Sequence, residues 1–420
     1  MSQADYDRKP VIIPRTLAAL ALAALALATG AAQETAVEMV WHDTATGDGG
    51  NAWGGHQTRI VRTPAGVFTA YTVESEGPFL RQWRLARREA DGSWTVIAIG
   101  GAGKDPVNLL ASPSGTLYVV GWPGGVGTLW TIRVSDGPVT MTITGIPQVA
   151  QGHWPYASAG IDGDGNLCVL TSSGGETRGG TFDWACYLPA RGRWFTQSST
   201  LDYRHAYTYV FPDPGMQLSL VSTRDVRWEA LGHPKPAGAF DYAFNAFRYW
   251  RTRSLLSAPI EALSSAEERP TAEHPAPVLN AQMDAYIDLR DRMHILYWRS
   301  GAGTGGATER RHRIVAPSGA LLSDHTLPQE AGWFSRIFED ASGRLYLLGS
   351  AGMLYTLDAE GTSAVASTAL DLGGYTVEYS GFGVAVPRTG TPLSDGVDVV
   401  FPSGNGRQWL YFRVVPREVP

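Results

Sequence analysis

The chain is 420 residues long, with 34 Lys and Arg against 40 Asp and Glu, a net charge of -6 and only 18% charged residues. No run of Lys or Arg forms a stripe able to neutralise a phosphate backbone, which argues against a nucleic-acid partner. Abundant Gly (49), Trp (14) and Tyr (17) are the mix of many short strands joined by tight turns, and they argue against long helices.

Residues 1–32 read as an export signal. Arg8, Lys9 and Arg15 precede the apolar stretch Leu17 to Ala28, and the small residues Gly30, Ala31 and Ala32 follow. That stretch is too short to span a bilayer comfortably and no second one follows, so residues 33–420 are expected as a soluble, secreted or periplasmic monomer, free of the membrane after cleavage near Ala32. An uncleaved anchor is the alternative. Export permits disulfides, and the only two cysteines, Cys168 and Cys186, fall on what read as neighbouring strands and are expected to pair, with two buried thiols as the alternative.

From there to the C-terminus one pattern recurs: an apolar strand, a turn with Gly or Asp, and a second apolar strand. Seven turns are visible, at Gly66, Gly115, Gly165, Gly215, Asp291, Gly343 and Gly396, about fifty residues apart except between Gly215 and Asp291. One hairpin per repeat leaves room for two more strands. The expected fold is therefore all-β, a single seven-bladed β-propeller of four-stranded antiparallel blades over residues 33–420, rather than a solenoid. Val37 to Trp41 beside Trp409 to Val415 could close the ring with strands from both termini. The long interval predicts an insertion at about 231–277, containing Pro234-Lys-Pro236 and an aromatic run from Phe240 to Trp250, projecting from the ring.

The repeat also fixes which residues share a rim. Ten positions before each turn lie His56, Asp105, Pro155, His205, Ala281 and Trp333, with His153 and Tyr156 flanking the third and Tyr207 two residues after the fourth. Eight or nine positions after the turns the second strands deliver Glu74, Arg224 and Arg299, with Asp225 next to Arg224. Histidines, a tyrosine, arginines and carboxylates converging on one mouth suit an acidic, hydroxylated ligand, with His56, Asp105 and Arg299 as candidate contacts and Trp53, Trp154 and Trp333 placed to stack on sugar rings. Each also has a plain structural reading: the histidines as donors between blades, His294 and His312 as core, Arg224 and Asp225 as a local ion pair. Asp162-Gly-Asp-Gly-Asn166 looks like the opening of a calcium loop, but the same place in other blades is a hairpin turn and the closing Glu is missing. A hairpin turn is expected there, with no metal and no cofactor.

The segment Tyr203-Arg-His205-Ala-Tyr207-Thr-Tyr209, followed by Val221-Ser-Thr-Arg224-Asp225, resembles the propeller-fold polysaccharide lyases, the ulvan lyases in particular. The resemblance to the family's site covers only this segment. It implies Tyr207 as base and acid, Arg224 on the uronate carboxylate, and His205 or His153, then His56, completing the site. Elimination across C4 and C5 of a uronate needs a cation to offset the carboxylate, then a base and an acid, and Arg224 and Tyr207 fit those needs. The alternatives are a sialidase-like glycoside hydrolase and a non-catalytic propeller that binds glycan or protein. Against the hydrolase, Ala90-Asp91-Gly92-Ser93-Trp94 lacks the Ser of the sialidase turn, and the carboxylates Glu74, Asp105, Asp225 and Asp284 show no distinguishing spacing.

Overall fold

A computed structural model describes residues 33–34, 36–135, 138–147, 156–257, 260–267, 278–301, 308–332, 334–378 and 381–416. The proposed leader lies outside them. Burial grades across each sheet, which is what stacking small sheets around an axis requires. In the second blade the inner strand Asn108–Ala111 is buried throughout, whereas the outer strand Thr140–Gly145 is exposed throughout. Strands near the axis, packed on both faces, read as continuous apolar runs, as in the second strand of the sixth blade, Leu345–Gly349.

Seven such four-stranded antiparallel units make up the ring, a β-propeller. In chain order they run from Ile60, Asn108, Tyr156, His205, Val278, Ser335 and Gly383. The seventh takes its outer strand, Glu38–Trp41, from the N-terminal side, paired antiparallel to Gln408–Val414 with Met39 opposite Leu410 and Trp41 opposite Trp409. Glu38 then locks this closure to the first blade, accepting three bonds from Arg88 (3.1, 2.8 and 2.6 Å) and one from Trp94 Nε1 (3.0 Å). Gln33–Glu34 adds a short parallel strand to the sixth blade.

The turns follow the repeat, with two departures. Gly115, Gly165 and Gly343 take φ of 83°, 80° and 82°, and Asp291 takes 59°. In the fourth blade the left-handed residue is Met216 (φ 61°), one position past Gly215. In the seventh, Gly396 closes no tight hairpin: Gly383–Val384 and Val397–Ser403 are joined by a long segment with a 3-10 turn, Pro387–Thr389. Gly390 (φ 86°) seats that turn in the middle of the ring, where a Cβ would overlap the carbonyl oxygen of Ala111.

Cys168 and Cys186 stand directly opposite each other in the third blade and are disulfide-bonded. The enlarged connection of the fourth blade lies between Gln217–Arg224 and Ala246–Thr252, and contains a short 3-10 turn, Trp228–Leu231, and a two-residue pairing of Val226–Arg227 with Tyr242–Ala243. Much of the expected insertion is blade instead: Ala246–Thr252 and Ile260–Glu267 are its third and fourth strands, with Tyr249 and Trp250 in the core. No helix among the described residues is long and apolar enough to cross a membrane.

Candidate functional site

Inner strands begin, and second strands end, on one face of the ring, so the segments before each inner strand and the connections between second and third strands crowd there. On this face a cavity of about 240 Å³ is lined by aromatic rings from several blades, among them Trp53, Tyr207, Phe244, Trp298 and Phe334, together with His56. Trp53, His56 and Tyr207 meet edge to face with centroids 5.6 to 5.7 Å apart, and Phe244 of the enlarged connection stands 5.9 Å from Tyr207.

Tyr207 reaches this cavity through a break in its strand. His205 pairs with Arg224 and Ala206 with Thr223, but Tyr209 pairs with Val221, so two residues, Tyr207 and Thr208, oppose the single Ser222. This is a β-bulge, and Tyr207 takes φ of 56°, a left-handed conformation costing a non-glycine residue about 1–3 kcal/mol. Gln282 holds the bulge from the next blade: its Nε2 donates to the carbonyls of Tyr207 and Val221, and its backbone N–H donates to Thr223 Oγ1 at 3.1 Å. The inner strand of the fifth blade is itself irregular between Gln282 and Asp284.

The extra residue reverses the side-chain alternation, and with it the expected gathering. Tyr207 and Tyr209 face the cavity, while His205 is fully buried on the opposite side of the sheet, 4.7 Å from the ring of Trp250 and 6.2 Å from Phe182. Arg224 lies on that side too. It is 2% exposed, donates to both oxygens of Glu267 (2.7 and 3.1 Å), and stacks over Tyr203; the partner of Asp225 is Arg204. Arg299 sits apart, in a polar cleft between the fourth and fifth blades, 3.3 Å from Glu309. Asp105 lines a second cavity on the same face. His153, Trp154 and Trp333 lie outside the described residues.

Three arginines that sequence reasoning missed lie behind the lining of the aromatic cavity and hold its backbone. Arg388, carried by the 3-10 turn of the seventh blade, donates to the carbonyls of His56 (3.1 Å) and Ala159 (3.3 Å) and stacks over Tyr209. Arg336 donates to the carbonyls of Met283 (2.7 Å) and Phe382 (2.8 Å). Arg59 donates to those of Asn51 (2.5 Å) and Trp53. Each thus bonds the backbone of a residue lining the cavity. The acid facing Arg336 and Arg388 is Asp284, whose carboxyl is raised by desolvation. Burial and Arg336 bring Arg59 down to about 9, so it stays charged at neutral pH. Burial first, then Arg388, Arg59 and Arg336, pull His56 to about 3, so it stands uncharged; among the described residues neither ring nitrogen has a hydrogen-bond partner.

The remaining polar clusters read as structure. Asp162 accepts the backbone N–H groups of Asp164 and Asn166 through Oδ1 and the Asn166 amide through Oδ2, closing a turn. His294 bridges Asp288 (3.1 Å) and His312 (2.9 Å) inside the fifth blade. Among the described residues no three His, Cys, Asp or Glu side chains are placed to hold a metal ion.

No protein-family model matches the chain, and no curated protein matches it. Solved structures similar to it include the WD40 domain of Toxoplasma gondii coronin, 10% identical, covering 93% of this chain and 89% of that one with a TM-score of 0.47. Virginiamycin B lyase from Staphylococcus aureus is 11% identical over 91% of this chain and 100% of that one, with a TM-score of 0.46. Likenesses at this level say nothing of activity.

Proposed function

We propose that this propeller cleaves uronate-containing glycans by β-elimination, with Tyr207 as the proton-transferring group in the aromatic cavity. The observation that carries the reading is the strained bulge that turns Tyr207 into a ring of aromatic side chains suited to stack on sugars. Strain held in place from a neighbouring blade is a feature of working sites rather than of packing alone.

In the reaction, Tyr207 starts ionised, and its phenolate oxygen removes the proton at C5 of the uronate. The electron pair forms the C4–C5 double bond, the C4–O4 bond breaks, and the proton returns from the phenol to O4. Negative charge develops on the carboxylate and C5, and the buried positive charges of Arg59, Arg336 and Arg388 behind the cavity lining favour it at longer range, in place of the direct Arg224 contact that the resemblance implied. His56, uncharged, is suited to hydrogen-bond a carboxylate or hydroxyl rather than to take a proton. Among the described residues no carboxylate lines this cavity, which favours elimination over the two-carboxylate chemistry of a glycosidase. The disulfide and the charged-then-apolar leader are compatible with work on an extracellular polymer.

The test is incubation of the purified protein with alginate, polygalacturonate, hyaluronan and ulvan, following ultraviolet absorbance of the unsaturated product and, separately, new reducing ends. Both signals rise together for a lyase. Reducing ends without absorbance would mean hydrolysis, and binding with neither would leave a lectin-like propeller.

A further inference from the structure

A second cavity, of about 560 Å³, opens on the same face where the first and second blades meet. The two are neighbours through consecutive residues, His56 lining one and Gln57 the other. Gln57 is 3% exposed and is held by its own amide, which donates to the carbonyl of Pro106 at 2.9 Å.

The walls combine what a sugar ring requires. Phe79 and Leu80, on the connection between second and third strands of the first blade, are 37% and 59% exposed, unusual for such apolar side chains. The ring of Phe79 lies flat against bare backbone, since a Cβ at Gly101 would overlap it. Two more lining residues, Trp122 and Asp105, each carry a buried hydrogen-bonding atom, Nε1 and Oδ1, that has no hydrogen-bond partner among the described residues. A buried donor and a buried acceptor left open each cost stability unless something else completes them.

We infer that this cavity is a second sugar subsite, which seats the residue of the chain adjoining the one held beside Tyr207, by stacking on Phe79 and by hydroxyl bonds to Asp105 and Trp122. The inference rests on the glycan reading above and extends it: the ligand is a polymer gripped at two or more consecutive residues, and the protein acts within chains rather than on single sugars. Aromatic stacking with a carboxylate and an indole N–H is a neutral-hydroxyl reader, so this subsite recognises ring hydroxyls, in contrast to the first, which has arginines behind its lining.

The experiment is titration calorimetry with the disaccharide and hexasaccharide of each polymer in the panel above, using Tyr207→Phe protein so that nothing is cleaved. Phe79→Ala, Asp105→Asn and Trp122→Phe are added singly to that background. The expected result is hexamer binding about tenfold tighter than dimer binding, an advantage reduced to about twofold by Phe79→Ala or Asp105→Asn. Phe79 is exposed and on a surface connection, so its variant keeps the fold, which thermal melting verifies. Length-independent binding, or variants that keep the full advantage of the hexamer, would overturn the subsite while leaving the glycan reading intact. Failure to bind any oligosaccharide of the panel would overturn both.

Discussion

The chain approaches its first and fourth blades with a histidine at the same offset, and the two histidines share every local property. His56 and His205 are 1% and 0% exposed, burial pulls both to about 3, and among the described residues the ring nitrogens of both lack hydrogen-bond partners. Yet His56 lines the aromatic cavity with Trp53 and Tyr207, and His205 is packed between Trp250 and Phe182 as a hydrocarbon would be. One extra residue in the inner strand of the fourth blade makes the difference, by turning Tyr207 toward the cavity and leaving His205 behind it. Burial and a depressed pKa therefore do not tell the two histidines apart; the surface each ring faces does.

The largest effect is expected at the bulge itself. Tyr207→Phe should lower the turnover rate by about 10²–10⁴-fold with melting temperature nearly unchanged, measured by product absorbance and thermal unfolding. The next concerns both histidines together. In the unfolded chain each takes a proton near 6.5, in the folded chain only near 3, so neither contributes above 6.5 and both favour unfolding as pH falls from 6.5 toward 3. The slope is up to about 1.4 kcal/mol per pH unit for each. Asp105, pushed up to about 7 mainly by desolvation, works in the opposite sense, adding stability as pH falls from 7 to about 4. His205→Leu should therefore remove one histidine's share of that loss, raising stability relative to the parent as pH falls from 6.5 toward 3, in denaturant titrations across pH.

Smaller again is the support of the bulge. Gln282→Leu removes the amide that holds the Tyr207 carbonyl, and should lower kcat about tenfold with little change in KM, alongside a stability loss of about 1–3 kcal/mol. The smallest effect on turnover is expected at Arg224. Arg224→Met leaves the cavity untouched and should keep kcat within about twofold, while stability falls by about 1–3 kcal/mol because Asn245 and Glu267 lose their donor.

The ring was legible because its information is local and repeated: a hairpin with Gly or Asp at its turn recurs, and each copy must stack on the next. The terminal closure at Met39 and Leu410 and the pairing of Cys168 with Cys186 followed from the same register. Half of the site was not legible, for two physical reasons. Comparison by offset assumes strict alternation, which a bulge at Tyr207 breaks, so His205 and Arg224 fall on the far side of the sheet. The arginines behind the cavity come from residues with no shared offset: Arg388, from an irregular connection, and Arg336 bond the backbone of other blades, and Arg59 bonds its own approach at Asn51 and Trp53. Only the unusual φ of a tyrosine, visible in three dimensions alone, points to the centre of the site.

The most direct test sets His56→Leu beside His205→Leu on one substrate, with rate and melting temperature measured for each. His56→Leu should lose at least about tenfold in rate with its fold intact, and His205→Leu should keep its rate and its stability, since a buried imidazole without partners gives way to a hydrocarbon of similar size at little cost. A rate lost at His205 and kept at His56 would contradict the placement of the reacting centre in the aromatic cavity.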